Sequence, residues 1–457
     1  VTPILAGVLG YVALQLVVGL VLSRRIQSED DYLLAGRRLG YPLAIFSLFA
    51  TWFGAETCIG SAGAVYEGGL TASTADPFGY SLCLLLLGVA LAGPLWRRKL
   101  TTLSDLFRHR YSPGAERLSA LILAPTSILW AAAQIRAFGQ VLAASSELAV
   151  SVSIALAAIV VIVYTVSGGL WADAVTDLVQ GVLLLVGLAV VAVAVASHAG
   201  GLGPAIAGID PARLQLWDNT RPLLHSLEVW AVPICGSVVA QELAARVLAS
   251  RSAAVAQRSA VAASALYLCA GLLPLFVGLV GVSALPGLAD PEQILPALAL
   301  EHLAPALYVL FAGALVSAIL STVDSALLAA SALVSHNIIL PLRPQATERT
   351  KVRVARVCVV VFGVVAWLLA THAQGVYHLV EQASAFGSSG VFVCVFAGIY
   401  TRVGGAASAY AALAAGIGVW GALTWLWPSE VPFLASLGAA LLAFLAFSRV
   451  RAAPTSP

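Results

Sequence analysis

The chain has 457 residues, of which 60% are hydrophobic and only 10% are Asp, Glu, Lys or Arg, with a net charge of +2. That balance excludes a string of soluble domains and belongs to a polytopic helical membrane protein. So small a charge excess leaves no basic surface for nucleic acid. The six cysteines form no CxxC pair and no Cys/His cluster at metal spacing, so they read as small buried hydrophobes.

The first apolar run, Ile4 to Leu22, is followed by Arg24 and Arg25 and has no basic residue before it. This is the reverse of a signal peptide and predicts a leading span near 4–23 with its N-terminus outside. Further windows long enough to cross about 30 Å of hydrocarbon follow at 43–67, 75–96, 117–142, 149–167, 171–197, 227–248, 260–284, 305–333, 354–372, 376–400, 405–427 and 431–448, which makes thirteen predicted spans. In that topology 21 of the 24 Lys and Arg residues, Arg246 among them, fall in turnarounds on the cytoplasmic side. Arg213 and Arg221 lie outside and Arg136 within a span. The skew predicts an outside N-terminus and a cytoplasmic C-terminus, in a bacterial plasma membrane. The links 198–226 and 285–304 carry Pro, Gly, Asp and Trp and predict short surface helices. No soluble appendage is expected at either end.

Charge inside a span costs at least about 2.5–3.5 kcal/mol at the helix centre, so the acids at membrane depth are the first candidates for function. They are Glu56, Asp173, Asp177 and Asp324. Asp173 sits beside the turn SGG at 167–169, where an acid either reaches water from the span end or serves function within the membrane. Asp324 lies in SAILSTVDSALLAAS, 317–331, where residues 318, 321, 322 and 325 share one helix face. Hydroxyls, a carboxylate and freed carbonyls suit a hard cation such as Na⁺. The competing reading is a small-residue helix whose hydroxyls bond back to their own backbone.

The stretch FATWFGAETCIGSAG, 49–63, puts glycines and Glu56 inside a span. Unwinding between Trp52 and Thr57 would free the carbonyls of Ala50 and Phe53, in the manner of the discontinuous helices that form midplane sites in secondary transporters. VPICGS, 232–237, with Pro233 and Gly236, predicts a matching break five spans later, hence an inverted repeat.

These segments resemble the sodium:solute symporters. The resemblance runs from about 30 to 400, through GRRLGYPLAIFSLFATW, GSAGAVYEGGL, YTVSGGLWADAVTDLVQG, ARVLASRS and SAILSTVDSALLAASALVSHNI. It implies an all-α membrane protein with a LeuT-like 5+5 inverted repeat, one preceding and two following helices. On this chain the division would be a leading helix and turn at 1–30, a first repeat at 31–197, an extracellular link at 198–226, a second repeat at 227–402, and two C-terminal helices with a tail at 403–457. By the same resemblance, Na⁺ is held by carbonyls of Ala50, Phe53 and Ala318 and the hydroxyls of Ser321 and Thr322. A second Na⁺ would use Asp177, Ser321, Asp324 and Ser325.

FATWFG, DPFGYSLCL and ILWAAAQIRAFG are most similar to the high-affinity choline transporter branch, which implies an aromatic cage around a quaternary ammonium. Three cage positions fall on Trp52, Tyr80 and Trp130, and the fourth falls on Ala240, which leaves the cage incomplete. Ring faces attract a cation that cannot donate hydrogen bonds. Glu56, Gln134 and Gln241 are the polar residues expected beside the rings, and with them a cationic or zwitterionic solute. The expected activity is Na⁺-coupled import of a small polar organic solute by alternating access. A Na⁺/proline-like amino-acid symporter and a non-transporting solute sensor of the same fold are the alternatives. The histidines cluster at span ends, so an intramembrane enzyme is not expected.

Overall fold

The computed structural model describes Gly10, Ala13, Val17 and residues 26–144, 146, 148–373 and 376–448. Apart from those three isolated positions, the first predicted span lies outside the described residues, as do the arginines at 24, 25, 449 and 451.

Among the described residues, eight helices are long and apolar enough to cross a membrane, and three bent pairs bring the total to eleven. In chain order they are α1 (Tyr41–Trp52) with α2 (Glu56–Gly68), α3 (Leu70–Arg97), α4 (Pro113–Ala143), α5 (Val150–Ser167), α6 (Gly169–His198), α7 (Leu223–Val239) with α8 (Gln241–Ala249), α9 (Ala253–Ala284), α10 (Pro305–Leu342), α11 (Glu348–His372), α12 (Leu379–Ala385) with α13 (Ser388–Tyr400), and α14 (Ala406–Leu426). The shorter apolar helix α15 (Pro432–Ser448) closes the chain. These coincide with the second to thirteenth predicted spans. The turn expected at SGG is where Gly169 takes φ +60 and splits α5 from α6; any side chain there would be strained, and an added Cβ would lie 2.8 Å from the Tyr32 ring.

The centre of the bundle is α10. Every residue from Phe311 to Leu333 is buried, as expected of a helix with no face toward lipid. Its hydroxyls and its acid must therefore find partners inside the protein, and this requirement gathers the site around it. α10 packs on α4, α5, α6 and α11.

Three spans are broken. α1 and α2 meet at 57°, α7 and α8 at 47°, and α12 and α13 at 41°. The first break falls where the sequence predicts it. The second lies a few residues beyond the prediction: VPICG winds on as a wide helical turn, and the chain becomes extended only at Ala240, with φ −64 and ψ 137. Pro233 does not interrupt at its own position, because it sits in the first turn of that wide segment, where its missing N–H is tolerated. The third break, at Phe386 and Gly387, was not foreseen from sequence. The two broken spans are tied together where α1 begins and α8 ends, away from the breaks themselves: Leu39 N–H donates to Ala249 O (3.1 Å) and Arg251 N–H to Leu39 O (3.0 Å).

Arg246 departs from its expected place. It is not in a water-facing turnaround but 1% exposed, ion-paired with Asp173, which is itself fully buried. Two buried charges that pair remove each other's need for water, and periodicity could not reveal that they meet.

Candidate ion and solute site

The site grows from the first break. Phe53 N–H still reaches Phe49 O (3.0 Å), but Gly54 N–H turns back to Trp52 O (2.9 Å). Ala50 O thus loses its helical donor and receives the Thr322 hydroxyl of α10 instead (3.0 Å). Thr322 also bonds Ala318 O (3.1 Å). Two carbonyls and a hydroxyl, from two helices, are gathered at one point. Gly54 is required there, since an added Cβ would lie 2.7 Å from Gln134 Oε1 and 2.8 Å from Thr322 Oγ1. Phe53 packs against Phe49, with ring centroids 4.6 Å apart.

The neighbouring hydroxyl faces elsewhere. Ser321 donates to Asp177, whose other oxygen takes the Ser47 hydroxyl at 2.7 Å. Ser325 donates to Ser321 O (2.9 Å) and to Asp173 Oδ2 (3.2 Å), and it receives Arg246. The structure therefore brings Asp177 and Ser321 together but places Ser325 against a guanidinium and Asp173. Asp324 is fully buried on the same helix and makes none of these bonds.

On the other side of the break the three expected rings converge. Trp52 stacks on Trp130 with centroids 5.6 Å apart and planes at 26°, and Tyr80 stands edge-on to both at 5.2 and 5.9 Å. Beside them Thr126, Ser237, Ala240, Glu242, Ser384 and Ser388 line a cavity of about 20 Å³, room for on the order of one water. Ser384 is 3.2 Å by its Oγ from Tyr80 Oη, and Tyr80 lines a second cavity, a vestibule of about 330 Å³.

Glu56 and Gln134 are brought together but do not line this cavity. Gln134 donates to Glu56, and its Oε1 accepts Ala55 N–H (3.1 Å), so the pair braces the unwound segment against α4. Asp76, which the sequence reading overlooked, accepts Thr57 Oγ1–H (2.6 Å) and the Tyr267 hydroxyl (3.2 Å), while that hydroxyl is also 3.2 Å from Trp52 O. Gln241 points away from the rings: its Oε1 takes Leu103 N–H at 2.7 Å. Its neighbour Glu242 is the acid in the cavity wall. The break at Ala240 sets which of the two faces inward, and an acid next to a predicted break was the available signal.

The profile of the sodium:solute symporter family matches residues 32–417. The chain belongs to the sodium:solute symporter family. Membership carries with it Na⁺-coupled solute symport, with a small solute and Na⁺ as its partners. Among family relatives, the high-affinity choline transporter 1 of Caenorhabditis elegans is 29% identical over 82% of this chain and 71% of its own length. The human high affinity choline transporter 1 is 30% identical over 77% of this chain, which spans 64% of that protein's length. The sodium/proline symporter of Escherichia coli K12 is 26% identical, with 94% and 90% covered. In fold the chain is similar to a Na⁺-coupled sialic acid symporter (TM-score 0.86, 18% identity, 98% and 97% covered). It is also similar to MhsT (TM-score 0.58, 15% identity, 90% and 98% covered). The architecture is thus LeuT-like, and the chain is an integral membrane protein.

Proposed function

We propose that this symporter moves a small organic cation together with Na⁺ across a bacterial plasma membrane, with its N-terminus outside and its C-terminus in the cytoplasm. Alternating access would work between inverted repeats at 31–197 and 227–402. The leading segment 1–30, the link 198–226 and the segment 403–457 lie outside that core.

One observation carries the reading: the break that frees Ala50 O toward Thr322 also holds Trp52 against Trp130 and Tyr80. Ion and solute sites then share one hinge. An all-oxygen set of Ala50 O, Phe53 O, Ala318 O and the hydroxyls of Thr322 and Ser321 suits Na⁺. Na⁺ between α1 and α10 would take over the carbonyls that Thr322 now holds, fix the hinge, and lower the cost of ordering the rings around a solute. Each inward positive charge gains about 2.3 kcal/mol per 100 mV. Separation of α1 from α10 on the cytoplasmic side would then disperse the ligands and release both. Asp177, with Ser321, is the place for a second ion, and Arg246 at Ser325 competes with any cation that would extend that site toward Asp324. The ring faces favour a cationic head group, in line with what the choline transporters' name says of them.

The test is uptake in proteoliposomes. Labelled organic cations should accumulate against their gradient under an inward Na⁺ gradient and stop when K⁺ replaces Na⁺. Binding without accumulation would refute transport, and accumulation unaffected by Na⁺ would refute coupling.

A further inference from the structure

The cavity beside Trp52 and Trp130 has one ionisable group in its wall, Glu242. It is 4% exposed and stands in the first turn of α8, where the helix N-terminus favours negative charge. Among the described residues no ion pair engages it. Arg246 lies one turn along the same helix, but its guanidinium is held by Asp173 and Ser325.

The rest of the wall is rich in acceptors. Thr126 donates its hydroxyl to Leu123 O (2.7 Å) and Ser388 to Ser384 O (2.7 Å), so both protons are taken and each hydroxyl can offer a ligand only its lone pairs. Ser237 Oγ is buried without a partner among the described residues. Among the described residues the indole N–H of Trp130 is likewise without an acceptor. The free donors of this wall, the Ser237 hydroxyl and the Trp130 indole N–H, are both neutral, so a ligand must bring the charged donor that Glu242 lacks.

We propose that Glu242 is the counter-ion of the transported solute, and that the solute's cationic head carries at least one N–H: a primary, secondary or tertiary ammonium in preference to a quaternary one. This rests on the reading of the cavity as the solute site. A desolvated carboxylate needs hydrogen bonds to its lone pairs as well as an opposite charge. An N–H donor meets both needs through a short charge-assisted bond. Four alkyl groups hold a quaternary nitrogen at a distance and leave the carboxylate's lone pairs unmet. The neighbouring cavity selects in the same sense: Glu228, Glu381 and Glu430 line it with His225, and although Arg221 pairs with Glu430 (3.7 Å) the wall stays acidic, which raises the local concentration of cations.

Titration of tryptophan fluorescence in the purified full chain with Na⁺, using ethanolamine, N-methylethanolamine, N,N-dimethylethanolamine and choline, tests this at constant skeleton. Affinity should drop at least tenfold at the last methylation, where the N–H disappears. Glu242→Gln should abolish that preference and Glu242→Asp should keep it, so the carboxylate is separated from any folding defect. Choline binding as tightly as the dimethyl compound in the wild-type chain, or a preference that survives Glu242→Gln, overturns the proposal while leaving a cation symporter intact. Failure of all four to bind, with Na⁺-driven accumulation of a neutral or anionic solute, overturns this proposal together with the cation reading above.

Discussion

Replacing Gly54 by alanine probes the junction of the two sites with a single methyl group. The added Cβ would stand 2.8 Å from Thr322 Oγ1 and 2.7 Å from Gln134 Oε1, where ordinary contact begins at 3.4 Å. Each neighbour must retreat by roughly 0.6 Å, a clash of the kind that costs about 1–3 kcal/mol in a packed interior. Thr322 sits in the buried stretch of α10 and holds Ala50 O and Ala318 O at 3.0 and 3.1 Å, so a rotation that relieves the clash also moves the ion ligand. At about 1.4 kcal/mol per factor of ten, the Na⁺ concentration for half-saturation should rise about 10- to 100-fold. Na⁺ titration of tryptophan fluorescence measures it. Pairing Gly54→Ala with Thr322→Ala should be less than additive if the clash acts through Thr322. An unchanged half-saturation in folded Gly54→Ala would refute the argument that this close approach sets the ion site.

Three other changes separate neighbouring roles. Trp130→Ala should weaken solute binding at least tenfold with little change in Na⁺ affinity, whereas Gln241→Ala should leave solute affinity intact and lose about 1 kcal/mol of stability because Leu103 N–H loses its acceptor; parallel binding and thermal-unfolding curves distinguish them. Arg246→Met leaves Asp173 buried without its partner and should cost about 3–5 kcal/mol, part of which Asp173→Asn restores in the double variant, read as an unfolding midpoint. At the end of the bundle where α4 begins, burial pushes the Asp105 carboxyl up, but hydrogen bonding and charge from His336 and the Thr102 and Thr101 amides outweigh it and hold it at about 2. Its folded value is below the ordinary carboxyl range, so the stabilisation is complete above about pH 4 and is lost as pH falls toward 2, by roughly 2–3 kcal/mol. Unfolding followed from pH 5 to 2 should show that loss in the wild type and not in Asp105→Asn.

The spans and the first break were legible because each follows from a local property, whereas the ring positions came only with the family resemblance. A window of apolar residues long enough to cross a bilayer is visible in one dimension, and so is a Gly54 with Glu56 inside such a window. The family motifs added an order of elements that periodicity alone leaves open. Arg246 was misjudged for the opposite reason: at the end of a span, a basic residue beside water and one folded inward onto Asp173 look the same until the helices are packed.

The same limit divided Gln241 from Glu242. Composition and pattern determined that this chain spans a membrane as broken and unbroken helices and that hydroxyls, carbonyls and rings are available at midplane depth. Only the tertiary structure decided which atoms converge. The extended turn at Ala240 rotates α8 so that Glu242 enters the cavity and Gln241 caps Leu103 N–H. The packing of α10 likewise sends Thr322 to Ala50 O and Ser321 to Asp177. Adjacent residues on a helix point about 100° apart, so a small rotation at a break reassigns every side chain beyond it, and rotation is a property of packing that the linear sequence does not carry.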